Sequence, residues 1–248
     1  EANAAYTAAI IIGTGTTNTS PFPLATSYHD ARAQTIYLAS EIGVSCRITA
    51  LAIDVNAVPG QTMTNFTIRM KHTDLSVYGS SPIWESADWT TVYQTNETIT
   101  TTGWVKFDFT TPFEYNGSQN LMVDISFNNN SYTTDGKCYY STPGGKRSIY
   151  YRTNSGYGDP LDWSGRTPTP SAAIPIWNVE MFVVYKSVDL NNDGIVNFRD
   201  FAIFAFYWMD DTCSEPDWCE GTDFDKSGKV DIQDLAKFVK YWLEGPIS

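Results

Sequence analysis

Six segments between Gln34 and Val184 alternate apolar and polar residues: ITALAIDV, MTNFTIRM, WVKFDFTTPF, NLMVDISF, RSIYYRT and IWNVEMFVVY. A period of two sends successive side chains to opposite faces of an extended strand. So many such segments, with no amphipathic helix between them, restrict this part of the chain to antiparallel sheets. The joins NAVPGQT, YNGSQ and STPGGK carry the Gly, Pro and Asn that turns require. The expectation for 1–185 is therefore mainly β, an antiparallel β-sandwich, with an open or closed barrel of the same strand count as the alternative. Within it, 1–33 is expected as an irregular lead-in in which AYTAAIIIGTG supplies an edge strand. Pairing of AAIII with a late strand would close a sheet edge.

After Tyr185 the period changes. FRDFAIFAFYWMD and IQDLAKFVKYWLEG place Phe201, Phe204, Ala205 and Trp208, then Leu235, Phe238, Val239 and Trp242, at helical spacing. Charge shifts at the same place. From Ser187 onward 13 Asp or Glu face 5 Lys or Arg, a net of −8, which leaves −4 for residues 1–186. The sequence thus marks a second, small all-α domain over 187–248. A total of −12 makes a nucleic-acid backbone or an anionic membrane surface a poor partner. No apolar run approaches the roughly 18 residues of a membrane helix.

Each helical pattern follows an acidic loop, and the two loops are copies. DLNNDGIVNFRD starts at Asp189 and DFDKSGKVDIQD at Asp223, 34 residues later, and they match place by place. Oxygen-bearing side chains at places 1, 3, 5, 9 and 12, with glycine at place 6, suit calcium, a hard cation that takes six to eight oxygens. The first loop offers Asp189, Asn191, Asp193, the carbonyl of Ile195, Asn197 through a water, and Asp200. The second offers Asp223, Asp225, Ser227, the carbonyl of Lys229, Asp231 and Asp234. Gly194 and Gly228 permit the bend. A neutral ligand at Ser227, with Lys226 and Lys229 close by in sequence, makes the second site the weaker. Each loop alone could be a capped helix start; duplication argues against that.

The closing residue is Asp rather than the Glu of an EF-hand, and EMFVVYKSV reads as a strand running into the first loop. These are loop-and-exiting-helix units. With their DxNxDGxxNxxD pattern, residues 187–245 resemble a type I dockerin, a calcium-dependent module that anchors secreted proteins to cohesins. The resemblance implies calcium at both sites, a cohesin-type partner, and recognition residues just before each closing ligand: Phe198 with Arg199, and Ile232 with Gln233. These pairs differ from each other, and the insert DDTCSEPDWCEGT departs from the family.

Cys213 and Cys219, six apart in that insert, read as a short disulfide of an oxidising compartment, while a pairing of Cys46 with Cys138 has no support from spacing. The protein is expected to be secreted or attached to an extracellular surface. The first residues carry no leader pattern, so the expectation is of a mature form.

No enzyme constellation is present: His29 and His72 stand in no catalytic motif. Glu85 with Asp88, or Asp159 with Asp162, could flank a glycosidic bond only if the fold separated them suitably. Aromatics are more informative. Among loop rings beside Asp, Asn and Arg, Trp89 and Trp163 are the candidates for stacking on a sugar, whereas Trp104 and Trp177 read as core. Asp54, Asp108 and Asp124 on strands read as solvated faces or a further calcium site. TIYLASEIG, TNFTIRMKHTD and GWVKFDFTTPFEYNGSQNLMVDISFNN resemble jelly-roll and adhesin-like accessory modules of secreted bacterial proteins, which implies binding or scaffolding. The expected function is non-catalytic: a tail docking to a cohesin and a sandwich binding polysaccharide or another surface polymer. The alternatives are an adhesin-type protein braced by its own tail and, more distantly, a polysaccharide hydrolase or lyase.

Overall fold

The computed structural model describes residues 6–43, 46–154, 156–185, 188, 190–191, 196–215, 217–240 and 242. Along the chain the elements are β1 (Tyr6–Ile12), β2 (Thr19–Ser20), β3 (Asp30–Tyr37), α1 (Ala39–Ile42), β4 (Cys46–Ala57), β5 (Met63–Thr73) and β6 (Thr90–Glu97). There follow β7 (Gly103–Tyr115), β8 (Asn120–Asn128), β9 (Lys137–Ser141), β10 (Ser148–Thr153), β11 (Ser171–Ala173), β12 (Ile176–Trp177), β13 (Val179–Tyr185), α2 (Phe198–Phe206) and α3 (Ile232–Lys240). Contacts divide the chain into two compact units, Ala8–Val183 and one that holds the residues from Val184 onward. None of the described helices is long and apolar enough to cross a membrane.

The strands form two antiparallel sheets. One runs β1-β13-β4-β9-β12, with β7 along β4 and β2 on β9; the other runs β11-β10-β3-β8-β5-β6. Side chains from their facing surfaces meet: the Phe66 ring of β5 lies 5.3 Å from that of Phe107 on β7, and Tyr37 Oη donates to the Trp177 carbonyl at 3.1 Å. Leu51, Ile53 and Val55 of β4 and Val123, Ile125 and Phe127 of β8 are buried, as alternation requires of a sandwich core. The first strand pairs with the late strand β13 at a sheet edge. The lead-in expected over 1–33 ends earlier, because Asp30 opens β3, an inner strand of the six-stranded sheet.

All eight residues of β3 are buried, Asp30, Arg32 and Gln34 included, so the alternation that marks a half-exposed strand is absent. The outer face of this sheet is covered by the segments 74–89 and 156–170. Trp84 N donates to the Gly165 carbonyl at 2.7 Å and Trp84 Nε1 to the Pro168 carbonyl at 2.7 Å, which ties one segment to the other. Beneath them Ile36, Tyr78, Trp84, Met122, Ile149 and Trp163 make a second apolar cluster.

Charge is sealed in beside that cluster. Arg32 Nε lies 2.7 Å from Asp124 Oδ2, with both side chains fully buried, and Arg69 Nη2 lies 3.0 Å from Asp124 Oδ1. Gln34 Nε2 donates to the same carboxylate at 2.8 Å, and the rest of the Arg32 guanidinium donates to the carbonyls of Pro160, Trp163 and Glu85. Asp124 is thus neither a solvated face nor a ligand for a cation, because two guanidiniums and an amide occupy its oxygens. Asp108 is solvated and pairs with Lys106 at 2.7 Å.

Removing one partner of a buried pair leaves the other charge unpaired, at a cost of about 3–5 kcal/mol. Asp124→Ala is therefore expected to lower the thermal midpoint of the sandwich by roughly 10 °C. A shift within about 2 °C in a calorimetric scan would show that Arg32 recovers its solvation elsewhere.

Candidate metal centre

The second loop is described throughout. Its bend uses two left-handed backbones, Gly228 at φ +92° and, less usually, Lys226 at φ +57°. The bend folds Asp223, Asp225 and Asp234 inward until their carboxylate oxygens lie within 4.8 Å of one another. Asp223 and Asp234 are buried. The Ser227 amide donates to Asp223 Oδ1 at 3.1 Å and the Gly228 amide to Asp223 Oδ2 at 2.9 Å. Asp234 Oδ1 accepts from the Asp225 amide at 3.2 Å and Oδ2 from the Asp231 amide at 2.9 Å. Asp231 Oδ1 in turn accepts from the Gln233 amide at 2.9 Å and caps α3.

The first loop repeats this wiring at every equivalent place that is described. Asp200 Oδ1 accepts from the Asn191 amide at 3.0 Å, Asp200 Oδ2 from the Asn197 amide at 2.9 Å, and Asn197 Oδ1 from the Arg199 amide at 2.8 Å. Place 3 to 12, place 9 to 12 and place 11 to 9 are thus bonded in both copies. Asp189, Asp193, Gly194 and Ile195 lie outside the described residues. Val196 and Val230, at place eight of each loop, are both buried in a cluster with Phe204, Phe238 and Cys213. The Phe204 and Phe238 rings join α2 to α3 at 5.4 Å.

Burial pushes the Asp223 and Asp234 carboxyls above their ordinary 3.8. The Gln233 amide, with Lys229, pulls Asp231 below it. Two lysines reach the cluster: Lys229 Nζ is 3.2 Å from Asp231 Oδ2 and Lys237 Nζ 3.8 Å from Asp225 Oδ2. Lys237 escaped the sequence reading, although it sits on α3 one turn beyond Asp234. The donors are all oxygens, with Ser227 Oγ giving its proton to the Lys229 carbonyl at 3.2 Å. Such a set could hold a metal ion and is hard in character. The grouping of Asp210 with Cys213 and Cys219 is of another kind, because those cysteines form a disulfide and offer no thiolate.

Of the partner-facing candidates, Phe198 and Ile232 are 74% and 65% exposed, and Arg199 and Gln233 are exposed as well. The loop tryptophans fare differently. Trp163 is buried against Trp84 and Tyr151, so its faces cannot meet a sugar. Trp89 is half-buried, bonds through Nε1 to the Glu85 carbonyl, and carries Arg69 and Lys71 against its ring at 5.2 and 5.6 Å. Both were candidates for stacking on a sugar, and both pack into or against the apolar cluster on the outer face. Trp104 shows the reverse error: expected in the core, it is 42% exposed on β7, whereas Trp177 is buried. Cys46 and Cys138 are buried free thiols. Against known proteins, the chain matches no family model, no curated protein and no solved structure.

Two expectations follow from the loop. With no cation bound, Asp223 and Asp234 hold protons more tightly folded than unfolded, so the tail should gain stability as pH falls from 7 toward 4. That gain is complete below their ordinary 3.8 and is lost as pH rises through the raised values; Asp231, depressed, acts oppositely and only below about 4. Circular-dichroism melts in chelator across this range check the sign. A cation must displace those protons, so its affinity should fall over the same interval. Second, Asp223→Ala should weaken cation binding at this loop by about 100-fold and Ser227→Ala by less than about tenfold, because only the former removes a charge. Equal losses in parallel titrations would contradict this.

Proposed function

We propose that residues 187–248 form a calcium-folded docking module of the dockerin kind, carried by a secreted, non-catalytic binding protein. The observation that carries this reading is the identical wiring of Asp200 and Asp234, each accepting from the amides at places 3 and 9 of its own loop. Chance turn chemistry would not repeat three hydrogen bonds at one register 34 residues apart. In the second loop Asp223, Asp225, Ser227, the Lys229 carbonyl, Asp231 and Asp234 would hold the ion. In the first, Asp189, Asn191, Asp193, the Ile195 carbonyl, Asn197 and Asp200 would do so. Bound calcium would supply charge compensation for carboxylates that burial otherwise disfavours.

Exposed Phe198 and Ile232, flanked by Arg199 and Gln233, support a docking surface for a cohesin-type protein at the starts of the two helices. The disulfide between Cys213 and Cys219 supports an extracellular setting. For the sandwich, polysaccharide contact rests on Trp104 rather than on Trp89 or Trp163, since Trp104 is its exposed tryptophan among the described residues.

A cohesin panel probed with and without calcium tests the reading. Capture is expected only with calcium, and Phe198→Ala or Ile232→Ala should weaken it by about tenfold or more, as truncation of a central apolar anchor does. Calcium binding without capture by any cohesin would sink the docking claim and favour the intramolecular brace.

A further inference from the structure

The insert between α2 and the second loop contains a run of backbone that L-residues avoid. Trp218, Cys219 and Glu220 have φ of 52°, 56° and 51°, and Gly221 follows at 84°. Left-handed residues ordinarily occur singly, and a run of three non-glycine residues persists only where the surroundings hold it. The Cys213–Cys219 disulfide lies within that run at one end. At the other, Cys213 is buried in the apolar cluster of the tail.

The insert is bonded to the start of the acidic loop and to its bend. The Asp223 amide donates to the Trp218 carbonyl at 3.1 Å, and Thr222 donates to the Cys219 carbonyl through its amide at 3.1 Å and its hydroxyl at 2.6 Å. On the far side, the Cys213 amide donates to the carbonyl of Gly228, the bend residue, at 3.1 Å. Met209 and Asp210 continue that seam: the Met209 amide donates to the Val230 carbonyl at 2.9 Å and the Val230 amide to the Asp210 carbonyl at 2.8 Å. Lys226 Nζ lies 5.7 Å from the Trp218 ring centroid, a further tie between turn and loop. The disulfide therefore joins the segment 209–213, which holds the bend, to the strained turn that holds the first ligand.

We propose that the Cys213–Cys219 disulfide is a positioning element for the second loop, and that its reduction lowers the affinity of that loop for calcium. The inference rests on the calcium reading given above. Reduction by a dithiol breaks the Sγ–Sγ bond. The reductant gives up two electrons and two protons and closes to its own disulfide, and Cys213 and Cys219 become thiols. Freed of the bond, Trp218 to Glu220 relax toward right-handed or extended backbone, and the Asp223 amide and carboxylate leave their places. The ion then binds a loop that is only part of the time arranged to receive it, which multiplies its affinity by that fraction.

The test titrates the full chain with terbium, a luminescent substitute for calcium, in three forms: oxidised, reduced with dithiothreitol, and Cys213→Ser/Cys219→Ser. The step belonging to the second loop is the one that Asp225→Asn removes. Reduction and the double variant are both expected to weaken that step by about tenfold, as a competent population near one-tenth requires, and to leave the first-loop step unchanged. Unchanged affinity at the second step would overturn the proposal. An equal fall at both steps would also overturn it, because the disulfide would then be supporting the tail as a whole. If the oxidised protein takes up no terbium and calcium does not compete, the calcium reading itself fails.

Discussion

Three carboxylates gathered within 4.8 Å, two of them buried, repel one another, and that repulsion has to be offset within the C-terminal unit. Backbone amides meet part of it: Ser227, Gly228, Asp225 and Asp231 all donate into the cluster. Lys229 and Lys237 approach from outside. Neither device supplies a divalent charge at the centre. Among the described residues the apolar cluster that unites α2 with α3 is built on Val188, Val196, Phe204, Cys213, Val230 and Phe238, and a domain of about 60 residues is marginal alone. On the proposed calcium reading, cation binding would therefore be coupled to folding of the tail.

The sandwich meets its buried charge internally. Asp124 receives Arg32, Arg69 and Gln34, so the pair is satisfied within the sheet and its covering segments. The same covering closes Trp84 and Trp163 over the outer face and removes them as binding rings. One unit therefore carries a finished ion network, while the other gathers oxygens that could hold a metal ion.

What could be read from the sequence follows from this difference. Strands with one core face, such as β5 and β7, announced themselves by period two, as did β8, whose polar Asp124 and Ser126 alternate with Val123, Ile125 and Phe127 although both its faces are buried. β3 did not, because a strand buried on both sides with Asp30, Arg32 and Gln34 on one of them has neither alternation nor a continuous apolar run. Trp163 misled for a related reason: its segment is polar in composition, and only the fold shows that it lies over a sheet. Trp104 misled the other way, since the alternation of GWVKFDF fixes two faces without saying which is inward; the structure puts Phe107 in the core and Trp104 out. The acidic loops were legible because duplication at a fixed spacing records geometry directly. The bonds of Asp234 to the Asp225 and Asp231 amides fit the places that the repeat assigns to those residues. The left-handed turn at Trp218 left no trace in sequence, because Trp, Cys and Glu are not residues from which such backbone is inferred.

The measurement that bears most directly on the central claim is calorimetric titration of calcium into the full chain after chelator removal, with magnesium run in parallel. Two equivalents of calcium bound per chain, with magnesium failing to replace them at equal concentration, is the result predicted for two large-cation oxygen loops. No binding heat and no bound calcium after dialysis would contradict the account at its root.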